Sequence, residues 1–206
     1  MPFLLIPFAY LLASLSPAYF AGKVNGIDMR KHGSGNLGAT NAGRVLGAKW
    51  FAIVFTGDVL KGALPVAGAH VVGGDTWLLL ATAAAAILGH VFTCFHGFKG
   101  GKAVATSLGV LAALVPVVAG CTLGVWLLAW IIGWRGFNLG KSSAVGPASV
   151  CAAIATPTFQ ITLNSHPFGP EKLPITAFLI ALAMLVVVKH KSNIAKLFQP
   201  ATPRTP

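Results

Sequence analysis

The stretch KHGSGNLGATN, Lys31 to Asn41, gathers glycines, hydroxyls and amides beside basic residues. Gly33, Gly35 and Gly38 match G-x-G-x-x-G. That pattern marks a dinucleotide site when it follows a strand and opens a helix within a βαβ unit. Here it follows an apolar run and a polar linker, and Asp58, at the distance of an acidic ribose ligand, lies inside another apolar run. The nucleotide reading loses its context and a phosphate cradle remains. Small residues let successive backbone N–H groups converge on an anion. Ser34, Asn36, Thr40 and Asn41 add side-chain donors, and Arg44 is able to grip two oxygens at once. The competing reading is a flexible loop rich in Gly and Ser.

A second stretch, FHGFKGGKAVAT (Phe95–Thr106), sets Lys99 and Lys102 around Gly100 and Gly101, with a helix predicted to start directly after and to carry Thr106. Glycines and lysines at a helix N-terminus suit phosphate. It is no Walker A loop, because His96 and Ala103 stand where that motif needs Gly and Ser/Thr. A third, VVVKHKSNIAKLF (Val186–Phe198), brings His190 and Asn193 to i, i+3 spacing, which allows one shared face. Membrane-surface anchoring by Lys189, Lys191 and Lys196 is its plainer reading. His90 and His96 flank the second loop as further candidate bases. Asp58 and Lys61 are costly in lipid unless paired, and their spacing predicts a structural ion pair supporting the loop above it. Cys94, Cys121 and Cys151 sit in apolar runs without metal-ligand spacing and read as small buried residues.

These stretches need elements to carry them, and composition names the medium. The 206 residues are 55% hydrophobic and only 9% charged, far below the ~25% charged residues of a soluble domain. The chain reads as an all-α integral membrane protein, with residues 1–198 forming one membrane-embedded domain. Residues 199–206, QPATPRTP, read as a disordered tail. With no basic n-region, the first apolar run is expected to be a retained helix. A net charge of +11 suggests nucleic acid in a soluble protein, but loop bias in a polytopic one.

A spanning helix needs about 20 apolar residues. Phe3–Ala21, Trp50–Val72, Thr76–Phe95, Ala144–Leu163 and Leu173–Val188 qualify. Ala103–Trp134 is uncharged for 32 residues, a helix of ~48 Å, too long for the ~30 Å core. Pro116, Gly120 and Gly124 offer a turn, predicting two helices with a short second half near Thr122–Trp134. Seven spans with the N-terminus outside put segments 22–49, 96–102, 135–143 and 189–206 on one side, with 13 of the 15 Lys and Arg residues. That asymmetry predicts a seven-transmembrane-helix bundle, C-terminus cytoplasmic, with the glycine-rich phosphate loops at the inner face. His166, in the outer loop Asn164–Lys172, reads as a surface residue.

Taken together, SPAYFAGKVNGIDMRKHGSGNLGATNAGRVLG, TGDVLKGALP, LGHVFTCFHGFKGGKAVATSLGV and KHKSNIAKL resemble, in order, the bacterial acyl-phosphate:glycerol-3-phosphate acyltransferases of the PlsY family. The resemblance spans nearly the whole chain. It implies a multi-pass protein of the bacterial cytoplasmic membrane with an inner-face active site. The reaction implied moves a fatty acyl group from acyl phosphate to the 1-hydroxyl of glycerol 3-phosphate, giving lysophosphatidic acid and phosphate. By the same resemblance, Ser34, Arg44 and Lys102 correspond to phosphate-holding residues. Thr40 and Asn41 match the end of the first loop, and His190 and Asn193 the C-terminal His and Asn. Departures are Thr93–Cys94 for a Pro-containing pair, Ala103 where Gly is common and Lys191 where Arg is frequent. His70 and Asp75 match the H-x-x-x-x-D of another acyltransferase superfamily, but fall at the far end of the second span, and the match is read as chance.

Acyl phosphate is already activated, so no enzyme nucleophile is needed, and no Ser-His-Asp or Cys-His set occurs on the basic face. Direct attack by the glycerol hydroxyl is expected, with His190 or the departing phosphate taking the proton. The expected catalytic set is Ser34, Arg44, Lys102 and His190. The expected binding set is Gly33, Gly35, Asn36, Gly38, Thr40, Asn41, Lys99, Gly100, Gly101, Thr106 and Asn193. No cofactor, metal or nucleic acid is expected. The partners are the two substrates, the bilayer and, functionally, a peripheral enzyme that makes acyl phosphate. The rival classes are an organophosphate or phosphate transporter, which needs polar groups on both faces, and a non-catalytic scaffold, which needs no paired phosphate loops.

Overall fold

The computed structural model describes Pro2–Leu197, so the tail 199–206 lies outside the described residues. A 3₁₀ turn leads into α1 (Leu5–Ser14) and α2 (Pro17–Val24). There follow α3 (Ala39–Leu46), α4 (Ala48–Val71), α5 (Thr76–Val91) and α6 (Val104–Leu114). The rest is α7 (Pro116–Ile131), drawn on by a π turn over Ile132–Gly136, then α8 (Lys141–Thr162), α9 (Leu173–Lys189) and α10 (Lys191–Leu197). The described residues contain no strand.

Five segments are long and apolar enough to cross a membrane: Pro2–Val24, Ala48–Val71, Thr76–His96, Pro116–Gly136 and Lys141–Thr162. Val104–Leu114 and Leu173–Lys189 are shorter apolar helices. The long uncharged run does divide, but at Val115–Pro116 and not at the glycines. The expected short second half is therefore corrected: the short piece is α6, with 11 residues, and α7 is long. Pro116 at N1 lacks an N–H that a first turn does not use, so it starts a helix well. Gly120 and Gly124 sit inside α7 without breaking it.

α4 packs along α6 and α1 along α5; α7 packs on α8, and α8 on α9. In lipid there is no hydrophobic drive between helices, so close approach of small residues holds them. A Cβ on Gly62 would stand 2.2 Å from the Thr106 carbonyl oxygen, and one on Gly109 2.0 Å from that of Val59. α4 and α6 thus touch backbone to backbone. The cysteines differ from expectation: Cys94, in the 3₁₀ turn of the second loop, and Cys121 on α7 are half-buried, and Cys151 is exposed on α8.

The first span breaks at Ser14–Pro17, and a break in lipid must have its polar groups satisfied. The Thr93 hydroxyl donates to the Ser14 carbonyl at 2.7 Å, and Lys61 Nζ to the Leu15 carbonyl at 3.0 Å. The Ser16 hydroxyl caps α2 by accepting from Tyr19 N at 3.1 Å. Lys61 is itself buried and lies 3.0 Å from Asp58 Oδ1, so the expected ion pair forms one turn along α4 and serves the break in α1–α2. Asp75 is the N-cap of α5, accepting from Leu78 N at 2.8 Å, which gives it a structural role.

Two stability outcomes follow. Gly109→Ala should destabilise the detergent-solubilised protein by about 1–3 kcal/mol through overpacking, whereas Gly120→Ala, with open space around it, should be neutral or stabilising; thermal unfolding of the pair separates them. Lys61→Met strands a buried carboxylate and the Leu15 carbonyl, a loss of about 3–5 kcal/mol. Adding Asp58→Asn should recover part of that loss in the same melt.

Candidate active site

The first loop is folded by its own side chains. Asp28 caps the 3₁₀ turn Met29–Lys31 through Arg30 N, and the Arg30 guanidinium hydrogen-bonds the same carboxylate, which it holds down at about 2. Arg30 is thereby engaged away from any substrate. The chain then turns through Gly33 and Gly35, at φ 62° and 70°, a region that glycine enters without strain. Asn41 locks that turn. Its Oδ1 accepts from Ser34 N at 2.8 Å, and its Nδ2 donates to the carbonyls of His32 and Met29 at 3.0 and 3.3 Å. A Cβ on Gly33 would fall 2.3 Å from Asn41 Oδ1. The expected role of Asn41 is therefore corrected: both its N–H donors are used within the loop, and it shapes the cradle.

The second loop is built against His90. Gly100 N donates to the Val91 carbonyl and Gly101 N to the His90 carbonyl, both at 3.1 Å. His90 Nδ1 meets the Thr106 hydroxyl at 2.9 Å and lies 3.6 Å from Asp58 Oδ1. The amides of Gly100 and Gly101, both expected in the binding set, hold the loop on α5. Thr106, expected to bind substrate, is fully buried on His90. Lys99 is exposed and, like Gly35, Gly100, Gly101 and Thr106, does not line the cavity described below. Ala103 takes φ 58°, left-handed, at a cost of about 1–2 kcal/mol for a residue with a Cβ. This gives the physical reason for a glycine to be preferred there. His96 packs on the Tyr19 ring and stays outside the cavity.

Lys102 emerges from this loop, and its ammonium donates to Asn193 Oδ1, joining the second and third stretches. His190, buried at the end of α9, donates from Nδ1 to the Val186 carbonyl at 2.8 Å. A carbonyl only accepts, so Nδ1 carries the proton and Nε2 keeps its lone pair in the neutral ring. Burial lowers the His190 pKa below the usual histidine value; the Val186 bond opposes this and the Lys102 cation adds to it.

A cavity of about 1250 Å³ gathers these parts. Gly33, Ser34, Asn36, Gly38, Thr40, Asn41, Arg44, Lys102, His190 and Asn193 all line it. Phe51 and Phe55 of α4, Leu108 and Leu111 of α6, Leu123, Trp126 and Leu127 of α7 and Leu182, Ala183 and Val186 of α9 continue it as an apolar cleft. Helix starts point polar groups into the wide end. Ala39 and Thr40 N–H of α3, Val104 and Ala105 N–H of α6 and Ser142 N–H of α8 have no acceptor among the described residues. Such N-termini are ready anion sites. The Arg44 guanidinium likewise has no hydrogen-bond or ion-pair partner among the described residues. Two buried side-chain atoms with no hydrogen-bond partner among the described residues, Asn36 Oδ1 and Ser107 Oγ, belong to residues that also line this cavity. Ser107, Ser142 and Ser143 were missed by sequence reasoning. Lys141-Ser142-Ser143 at a helix start on the basic side was a readable signal, whereas Ser107 had none. No group of three His, Cys, Asp or Glu suited to a metal occurs among the described residues.

Known proteins resemble this chain in sequence and in fold. The family profile described as glycerol-3-phosphate acyltransferase matches residues 3–200. A glycerol-3-phosphate acyltransferase of Trichlorobacter lovleyi is 41% identical over 92% of this chain and 90% of its own. One from Aquifex aeolicus is 38% identical over 94% and 93%. The crystal structure of PlsY, an integral membrane glycerol 3-phosphate acyltransferase, in its glycerol 3-phosphate form superposes with a TM-score of 0.83 at 38% identity, covering 95% of this chain and 91% of that one. Its lysophosphatidic acid form gives 0.80 at 37% identity, with the same coverage. With the profile spanning nearly the whole chain and relatives this similar along their full lengths, the chain belongs to the glycerol-3-phosphate acyltransferase family.

Proposed function

We propose that this chain acylates the 1-hydroxyl of glycerol 3-phosphate from a fatty acyl phosphate, releasing lysophosphatidic acid and phosphate for phospholipid synthesis. One observation carries this reading: a single cavity has a cationic end lined by unfilled helix N-termini and an apolar continuation among the membrane helices. That shape suits a reaction joining a phosphorylated polyol to a fatty chain. A transporter would need polar groups to continue toward the opposite face, and the apolar continuation favours the enzyme.

In the proposed step the substrate hydroxyl oxygen attacks the acyl carbonyl carbon, forming the ester bond while the carbon–oxygen bond to phosphate breaks. The hydroxyl proton passes to His190 Nε2 or to the departing phosphate. Ser34, Arg44, Lys102 and the open N–H groups hold the two phosphates and the charge that develops between them. Gly33, Gly35 and Gly38 shape the cradle, and Asn193 steadies Lys102. The architecture proposed is a single domain of seven spans, α6 and α9 completing the five long segments. The N-terminus lies outside, and the cavity mouth faces the cytoplasm at the inner membrane. Thirteen of fifteen basic residues on one side support that orientation. Acyl phosphate then arrives from a peripheral enzyme on the same side.

Purified protein given palmitoyl phosphate and labelled glycerol 3-phosphate should form lysophosphatidate; binding without turnover would overturn the enzymatic reading. Arg44→Ala and Lys102→Ala should each lose about 10²–10³ in rate, checked on preparations with wild-type melting behaviour. Because the His190 pKa is lowered, the ring stays neutral at pH 7, and its protonation should cut activity only below the usual histidine value of about 6.5. His190→Gln should remove that acid limb if Nε2 takes the proton. An unchanged limb in the variant assigns the proton to the departing phosphate.

A further inference from the structure

The apolar part of the cavity lining runs along α6 to α9 away from the phosphate end. Its deepest lining residues are Leu111 on α6, Thr122 on α7, Thr156 on α8 and Leu182 on α9. One turn further on, Val118, Ala119, Gln160 and Leu179 are buried against their neighbours and no longer line it. At this end Thr122 Oγ1 and Thr156 Oγ1 lie 3.2 Å apart, across α7 and α8. The Thr156 hydroxyl donates to the Ala152 carbonyl at 2.9 Å. A hydroxyl has one proton to give, so Thr122 donates to Thr156 and both rotamers are set. Trp126 Nε1, donating to Ser149 Oγ at 3.1 Å, ties the same two helices nearer the mouth. The end wall is thus a fixed pair of side chains between two helices cross-linked by hydrogen bonds.

We infer that the Thr122–Thr156 pair is the stop that limits acyl-chain length. The inference rests on the acyltransferase reading above. Along α8 the lining runs from Ser142, beside the phosphate end, to Thr156. That distance is roughly 21 Å at ~1.5 Å per residue. One leaflet's share of the ~30 Å hydrocarbon core is about 15 Å. A phosphate-ester head and one acyl chain of ordinary membrane length fill the cleft to the threonines. The chain terminus then meets side chains that do not swing aside, so the stop acts through their volume.

The test is a competition among lauroyl, palmitoyl and arachidoyl phosphates with glycerol 3-phosphate, read as product ratios within each active preparation. Such ratios do not depend on the yield of folded protein. Thr156→Ala should raise the arachidoyl-to-palmitoyl ratio by about tenfold, the scale on which a pocket discriminates by a methylene or so. Thr156→Leu, or Thr122→Leu if that variant does not fold, should raise the lauroyl-to-palmitoyl ratio. Thr156→Val keeps the volume without the hydroxyl and should leave all ratios unchanged. Wild-type ratios in active Thr156→Ala and in either leucine variant would overturn the stop while leaving the acyltransferase reading intact. Failure of the wild-type protein to transfer any of the three chains would overturn that reading, and the stop with it.

Discussion

Lipid offers no hydrogen bonds, so a backbone group left open in this chain must find a protein partner or line a cavity that admits water or a ligand. The break between α1 and α2 shows the first outcome. Lys61 and Thr93 satisfy the carbonyls that the break exposes, and Asp58 balances the buried ammonium. His90 extends this centre, with its ring on Thr106 and its carbonyl on Gly101 N. The loop that delivers Lys102 is therefore anchored to the same buried node that closes the first span.

The second outcome is the cavity. The starts of α3, α6 and α8 leave N–H groups open, and they do so where the lining is most polar. Asn36 and Ser107 leave buried oxygens without hydrogen-bond partners along the same lining. Every helix start leaves open N–H groups, but these three starts share one cavity lining with Arg44 and Lys102, and that coincidence is the physical argument for a site. In the proposed function phosphate oxygens would be the acceptors those N–H groups lack, with Arg44 and Lys102 supplying the matching charge. The apolar cleft beyond them extends the site in the only direction where a fatty chain is at home.

Much of the candidate site was legible because its chemistry is local in sequence. Ser34, Arg44, Lys102, His190 and Asn193 stand in short polar stretches at helix ends, and all five line the cavity. What such a reading does not reveal is which donors the fold consumes. Asn41, Gly100 and Gly101 have the right chemistry, yet their N–H groups are committed to closing loops. Composition made the all-helical membrane fold legible, but not the position of the break in the long uncharged run. Pro116, Gly120 and Gly124 were all candidates for the turn, and of these only Pro116, at a helix start, marks the break. The apolar lining stayed hidden because Leu108 and Leu111 look, in sequence, like any lipid-facing leucine. Ser107 stayed hidden for a related reason: a single serine in a membrane helix commonly back-bonds to a carbonyl one turn earlier, as Ser149 does.

The central claim is that the open amides at the starts of α3 and α6 await substrate phosphate. Amide-resolved nuclear magnetic resonance of the detergent-solubilised protein, titrated with glycerol 3-phosphate, addresses it directly. The account predicts saturable shifts at Thr40, Val104 and Ala105, with Gly169 and Lys172 of the far loop unmoved. Saturable binding that leaves Thr40, Val104 and Ala105 unshifted would contradict it.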